Sequence, residues 1–399
     1  MLLYWIWFAE LPDIALWQKH ILLQHFHDPE ELYHARPEAF SEIPDMTEGI
    51  MDALLNKDLT PAARIMHACQ EKNIHPFTLK DAAYPRRLKN TKDAPLVLYC
   101  KGFLPDLDNY PTVAIVGTRK ATPYGMAVSR RLGAQIAACG GIVISGGATG
   151  NDTMALVGAL TGENPVVAVL AGGLDKVYPK ANADLFAKIE TQGCLLSQYP
   201  PGTPHYRWNF PVRNRVLSGL SDGVLVVEAP ENSGALITAH SALEQGRDVF
   251  AVPGNIDVPS CAGSNALLQD RAAPVLSGWD IMKEYAPLYP DKVHKAAPKE
   301  PSTEEAPFLQ VAEVSKSAPK QKIPVDKKEK SSYSGIRSDL TGLNDQEEAV
   351  YACLKEEARP VDDIIAETGI PSQKVLSILT MLAIRGLAVN LPGGFVSRK

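Results

Sequence analysis

Residues 112–120 read TVAIVGTRK, a short and mostly β-branched apolar run that passes straight into Gly117, Thr118 and the paired cations Arg119 and Lys120. A run of this kind closed by glycine predicts a parallel strand buried on both faces. The helix pattern over 123–138 supplies one cover. The loop between them therefore lies at the carboxyl end of a strand and the amino end of a helix. Backbone N–H groups lack partners there, and the helix dipole favours an anion.

The same unit recurs along the chain. IVIS (142–145), VVAVL (166–170), CLLS (194–197), VLVVEA (224–229) and VFAVP (249–253) read as strands, with helix patterns over 151–161, 181–192, 214–220 and 235–245. Such a series predicts a parallel sheet with helices on both faces. The expected fold class is α/β, with a doubly wound, Rossmann-like core over 81–289. Residues 1–80 space apolar side chains three or four apart between Pro and Gly, which predicts a small all-helical domain of the SAM or helix-hairpin kind. Its opening MLLYWIWFAELP reads as a packed helix rather than a signal peptide or membrane span. Residues 290–342 exchange apolar periodicity for Lys, Pro, Ser and Glu and predict a disordered linker. Residues 343–399 show three helix patterns and two short strands about a Pro-Gly-Gly turn, a winged-helix domain. The presumed recognition helix, 371–385, carries only Lys374 and Arg385 as cations, so duplex DNA and protein contact stand equal for this domain.

At 399 residues, with 45% hydrophobic and 22% charged, the chain has the composition of a soluble globular protein of two or three domains. A net charge of −6 excludes a general polyanion binder, so any nucleic-acid site must be a local concentration of cations. The six cysteines never approach CxxC spacing, and they predict buried free thiols in a cytoplasmic protein without a metal site.

In a doubly wound sheet the loops after the strands emerge along one edge. Here they are GTRKATPYG, SGGATGND, AGGLDKVYPKAN, SQYPPGTPHYRWNFPVRN, EAPENSGAL and PGNIDVPSCAGSN. Together they carry Arg119, Lys120, Lys176, Lys180, Arg207, Arg213 and Arg215 to that edge. Gly117, Thr118, Ser145, Gly146, Ser233 and Gly234 are placed to offer backbone or hydroxyl donors to phosphate oxygens. Tyr178, Tyr199, Tyr206, Trp208 and Phe210 interleave with the cations, the combination that holds single strands through charge and stacking. Tyr178 and Tyr206 are the stacking candidates; Trp208 and Phe210 divide evenly between stacking and anchoring a long loop. A dinucleotide cofactor is disfavoured, because cations occupy the pyrophosphate turn and the second strand ends in Ser145 rather than an acid. No triad spacing, HExxH or Walker lysine is present, so neither catalytic residues nor a cofactor are expected, and Glu228 reads as a cap for loop backbone or a partner for an arginine.

VGTRKATPYG, LAGGLDKVYPKAN, YPPGTPHYRWNFPVRNRVLSGLSDGVLVVEAPENSGALITA and GRDVFAVPGNI, spread over about 83–286, resemble the DprA/Smf family of bacterial DNA-processing proteins. The resemblance implies a homodimeric protein without established catalytic activity that binds and protects single-stranded DNA. It also implies that the strand is handed to the RecA recombinase during natural transformation. It further implies phosphate contacts by Arg119 and Lys180, and assigns Arg213 and Asn214 to the family's Arg-Asn element and Ser233 and Gly234 to its Ser-Gly loop. Four positions depart from the family pattern: Thr149 stands for an arginine, Asn151 for an isoleucine, Gln198 for a glutamate and Arg271 for a glycine. The alternative from another class is a nucleoside-monophosphate phosphoribohydrolase, whose PGGxGTxxE signature GGATGND matches poorly.

Overall fold

The unbroken apolar runs become strands of a single sheet. The computed structural model describes residues 1–40, 43–270, 272–295, 345–355, 359–384, 387–391 and 395–398. These divide into two compact units at residues 311/312. Most of the expected linker (296–342), Arg271, Arg385 and the turn at 392–394 lie outside the described residues.

In the first unit the strands are β1 (His75–Thr78), β2 (Val97–Gly102), β3 (Thr112–Val116), β4 (Ile142–Ser145), β5 (Val166–Val169), β6 (Gly193–Ser197), β7 (Gly223–Val226), β8 (Asp248–Ala251) and β9 (Ala273–Pro274). They form a nine-stranded sheet in the order β1-β2-β6-β5-β4-β3-β7-β8-β9. Pairing is parallel from β6 through to β9, while β2 runs antiparallel to β6 and β1 antiparallel to β2. The antiparallel pair was not anticipated. HPFT of β1 carries Pro76, a residue at home on a sheet edge, and β2 sits within a stretch that Pro and Lys mark as connector. The boundary drawn at residue 80 thus falls just after a strand of the core sheet.

The helices are α1 (Leu2–Glu10), α2 (Leu16–His25), α3 (Pro29–His34), α4 (Glu48–Leu55), α5 (Thr60–Glu71), α6 (Arg86–Lys89), α7 (Pro123–Ala138), α8 (Asn151–Ala159), α9 (Ala183–Gln192), α10 (Asn209–Gly219), α11 (Gly234–Glu244), α12 (Ala262–Asp270) and α13 (Gly278–Tyr285). In α1 the consecutive residues Trp5, Ile6, Trp7 and Phe8 are all buried, the pattern of a helix covered on every side. α10 begins five residues before its sequence-predicted start at 214, because Asn209 and Phe210 already lie in the helix.

β3 shows how the two layers form. Val113 and Ile115 pack into a core with Leu132, Ile136 and Leu156 of α7 and α8, whereas Ala114 and Val116 pack with Val216, Leu217 and Ala239 of α10 and α11. That alternation is the period of two of a strand covered on both faces. α7 and α8 approach closely through Gly133 and Gly158: a Cβ on Gly133 would strike the carbonyl of Ala155, and one on Gly158 that of Arg130.

The second unit contains α14 (Asp345–Ala352), β10 (Arg359–Pro360), α15 (Val361–Thr368), α16 (Ser372–Ile384), β11 (Ala388–Leu391) and β12 (Phe395–Arg398). Its strands pair antiparallel in the order β10-β12-β11, around a core of Val350, Ile364, Val375, Leu379, Leu382 and Val396. This is the winged-helix arrangement. Among the described residues no helix is long and apolar enough to cross a membrane.

Because the α7–α8 contact is backbone against backbone, Gly133→Ala should destabilise the protein by about 1–3 kcal/mol. A lowered thermal unfolding midpoint checks this, and an unchanged midpoint would show that the helices part without penalty.

Candidate functional site

Strand order reverses at β3, since β4, β5 and β6 follow on one side and β7 lies on the other. Loops after β3 and β7 diverge there and leave a crevice at the strand carboxyl ends. The crevice is a cleft of about 290 Å³ whose walls include Gly117, Thr118, Arg119, Phe210, Asn214 and Ser233.

Each wall is fixed by identifiable bonds. The Glu228 carboxylate is buried and accepts from Thr122 N (3.0 Å) and Thr122 Oγ1 (2.6 Å), while the Glu228 carbonyl accepts from Thr118 N (2.7 Å). Glu228 therefore caps loop backbone, one of its two expected roles. Thr122 in turn caps α7 by accepting from Gly125 N at 3.0 Å. Opposite, Ser233 caps α11 through Ala235 N (3.2 Å), and Asn214 Nδ2 donates to Gly234 O (3.1 Å). The amino end of α11 thus opens on the cleft, a place suited to an anion.

Arg213 differs from its expected part as a phosphate contact. It is 4% exposed, and its guanidinium donates to Gly146 O (2.6 Å), Val169 O and Asn214 Oδ1 (3.0 Å). It ties the loop after β4 to the end of β5 and, through Asn214, to the start of α11, rather than facing solvent. Ser145 departs likewise: its hydroxyl is fully buried and donates to Ile115 O at 2.6 Å. Gly146 lies against the Arg213 guanidinium and the Asp152 carboxylate, where any side chain would collide with both. Arg215 leaves the site because two residues along a helix turn a side chain about 200°. It meets Asp93 and Glu244 (2.7 Å to the latter) in a larger cleft of about 770 Å³. That cleft lies at the other edge of the sheet, where Arg87 donates to Thr112 Oγ1 at the start of β3. Three of its arginines meet carboxylates, Arg215 as described, Arg86 with Asp108 (3.2 Å) and Arg87 with Asp222 (2.9 Å), while Arg247 on the same wall donates to Arg87 O (2.9 Å) and Gly219 O (3.3 Å).

At the strand carboxyl ends the balance is reversed. Arg119, Lys120 and Lys180 are exposed, and among the described residues none forms an ion pair. The Arg119 guanidinium lies 4.6 Å from the centre of the Phe210 ring, Phe210 meets Tyr178 at 6.0 Å, and Tyr178 meets His205 at 5.3 Å. This row links the first, third and fourth loops. Lys176 is exposed but ties loops together by donating to Gly202 O at 2.6 Å. Tyr206 stacks on Trp208, with ring centres 4.6 Å apart and planes 11° from parallel. Trp208 is 68% exposed, so it does not anchor its loop to the core.

Sequence reasoning missed Asp152 and Asn182. Asn182 Nδ2 donates to Gly147 O (2.9 Å) and Thr153 Oγ1 (2.8 Å) and so joins the second and third loops. An acid in the first turn after Gly150 was the available signal for Asp152. Burial raises its carboxyl pKa to about 6, against the pull of Arg213, while burial lowers that of Arg213 to about 10. Beside it, Asn151 is fully buried, and neither atom of its amide has a hydrogen-bond partner in the protein.

Two outcomes follow from this floor. Replacing a buried amide that lacks partners removes a desolvation penalty, so Asn151→Ile should raise stability by about 1–3 kcal/mol in urea unfolding; equal or lower stability would show that the amide is satisfied. The folded state also keeps a proton on Asp152 that the unfolded chain has released. That contribution is complete below the ordinary carboxylate range and is lost as pH rises through about 6. The unfolding midpoint of the wild type minus that of Asp152→Asn should therefore fall between pH 4 and 6.5 and level off above, whereas a flat difference would refute the raised pKa.

Residues 75–286 match the family model of DNA recombination-mediator protein A, and residues 337–394 match that of the DprA winged helix domain. The chain is 40% identical over 221 residues to the DNA processing protein DprA of Bacillus subtilis, which covers 55% of this chain and 74% of that one. It is 31% identical over 404 residues to the protein Smf of Synechocystis sp., which covers 98% and 97%. The X-ray structure of DNA processing protein A from Streptococcus pneumoniae superposes with a TM-score of 0.64 at 32% identity, covering 71% of this chain and 98% of that one. With the first match spanning more than half of its length, the chain belongs to the family of DNA recombination-mediator protein A, the DprA/Smf proteins.

Proposed function

We propose that this chain binds single-stranded DNA at the crevice between β3 and β7 and acts as a recombination mediator. The observation that carries this reading is the exposed cation set Arg119, Lys120 and Lys180 at the strand carboxyl ends, with no ion pair among the described residues, of which Arg119 shares the cleft wall with the amino end of α11, in a chain whose net charge is −6. Backbone phosphates are held by these cations, by the Thr118 and Ser233 hydroxyls and by Gly234 N, whereas Gly117 N and Thr118 N are spent on the Asp152 carboxylate and the Glu228 carbonyl. Tyr178, exposed on the Arg119–Phe210 row, supplies a ring for bases. Recognition through charge and ring faces carries no base sequence. Arg213 acts by positioning, because its buried guanidinium is already bonded to Gly146 O, Val169 O and Asn214 Oδ1.

The family supports the rest of the reading: a homodimer in the cytoplasm that protects incoming single strands and hands them to the RecA recombinase in natural transformation. The protein acts as a binder and does not turn over its ligand. Glu228, the carboxylate at the end of a strand, is committed to Thr122 and has no reach to a substrate. For the winged helix, α16 gives Val375, Leu379 and Leu382 to its own core and offers Lys374 as its cation among the described residues, which suits a protein contact as well as a duplex.

Anisotropy of a labelled oligo-dT at two salt concentrations tests the site. The log-log slope should be about −0.7 per phosphate neutralised, an equal-length duplex should bind more weakly, and Arg119→Ala/Lys180→Ala should lose most of the affinity with its fold intact. Undiminished binding by that double variant would refute the assignment, and release of free base from nucleoside monophosphates would favour the hydrolase.

A further inference from the structure

Among the aromatic side chains of the loop edge, Trp208 is the most exposed, at 68%, and Tyr206 beneath it is 44% exposed. The two rings lie nearly parallel at 4.6 Å. One face of each ring is thus spent on the other, and the outer face of the indole is left toward solvent. A large apolar ring held in this way, outside any core, is a surface that binding would cover.

The pair is rigidly held. Tyr206 N donates to Pro204 O (2.9 Å) and Asn209 N to Tyr206 O (3.0 Å), which closes a tight turn around Arg207 and Trp208. Asn209 is buried, and its Nδ2 donates to Ala171 O (3.0 Å) and Pro204 O (3.2 Å), fastening the turn to the start of the loop after β5. Trp208 caps α10, and Phe210, Arg213 and Asn214 on the next turn line the cleft. The indole therefore stands immediately beside the phosphate-binding crevice, with the exposed cation Arg207 next to it.

Resting on the reading of the crevice as a single-strand site, we infer that Trp208 is a base-stacking platform, that it carries a base of the strand as it leaves the crevice, and that Tyr206 serves as the indole's support. The occupant is an unpaired nucleobase rather than a protein side chain. The platform is continuous with the cationic edge, and a preordered indole face beside cations fits a base whose neighbouring phosphates those cations hold. The role expected for Tyr206 is thereby moved one ring outward. The arrangement also selects against duplex, since a paired base has both faces stacked within the helix.

A double-mutant cycle between the indole and the base tests the inference. Full-length wild type, Trp208→Ala and Trp208→Phe are titrated with oligo-dT and with an equal-length strand of abasic spacers. Because the indole is exposed, all three proteins should share one circular dichroism spectrum and one unfolding midpoint. Trp208→Ala should bind oligo-dT about five- to a hundred-fold more weakly, Trp208→Phe should recover most of that loss, and on the abasic strand the three should be equal. Tryptophan fluorescence of the wild type should also be quenched by oligo-dT, an effect missing in Trp208→Phe. Wild-type affinity of Trp208→Ala for oligo-dT, or an equal loss on the abasic strand, overturns the platform while leaving the crevice assignment in place. Failure of the wild type to bind either strand overturns both.

Discussion

A single buried guanidinium holds the site together. Arg213 reaches from α10 to Gly146 O after β4 and Val169 O at the end of β5, and through Asn214 it is joined to Gly234 O at the start of α11. One planar donor thus ties the loop after β4 to the end of β5, and its bond to Asn214 extends the link to the start of α11. Burying a charge in this way is tolerable only because its N–H groups are bonded and a carboxylate is near. Asp152 is that carboxylate, and Gly146 is the residue that lets the two approach from either side.

The clefts at the two ends of the central strands illustrate why size is a poor guide to function. The larger one, at the amino ends of the strands, pairs Arg86, Arg87 and Arg215 with acids. Those paired charges are committed to holding the fold together. The smaller one lies where the dipole of α11 and the exposed Arg119 add rather than cancel, with Lys120 and Lys180 on the same edge of the sheet. In an acidic protein such a local sum draws a polyanion to one place and repels it elsewhere, and salt weakens it.

Much of this was legible in the sequence, and what escaped has physical causes. Uninterrupted runs such as VAIV and IVIS, each followed by glycine, identified β3, β4 and the parallel core, because a strand covered on both faces needs no polar residue. The Pro123–Ala138 helix was read to its end residues. β1 was lost because a four-residue edge strand containing proline follows directly on helical periodicity, and β2 because its apolar run sits in a stretch rich in proline and lysine that resembles a connector. At the site, residue type revealed that cations gather after the strands but not which way each one faces. Arg213 and Arg215 are both arginines of one motif, and helix phase alone sends one beneath the crevice and the other to the far cleft. Ser145 could be placed at a strand end from sequence, yet its hydroxyl turns inward to Ile115 O.

The division between a fixed floor and a free rim also explains how the departures from the family pattern are borne. Asn151 stands in the floor, fully buried with neither amide atom bonded, so its cost falls on stability. Thr149 stands in the loop above, and the absence of an arginine there removes a charge from the rim without loosening Arg213, Asp152 or Glu228. Changes of the first kind alter how firmly the loops are held, and changes of the second kind alter how strongly an anion is attracted. Because the floor is bonded through backbone carbonyls rather than through the exposed side chains, the rim can vary in charge while the crevice keeps its shape.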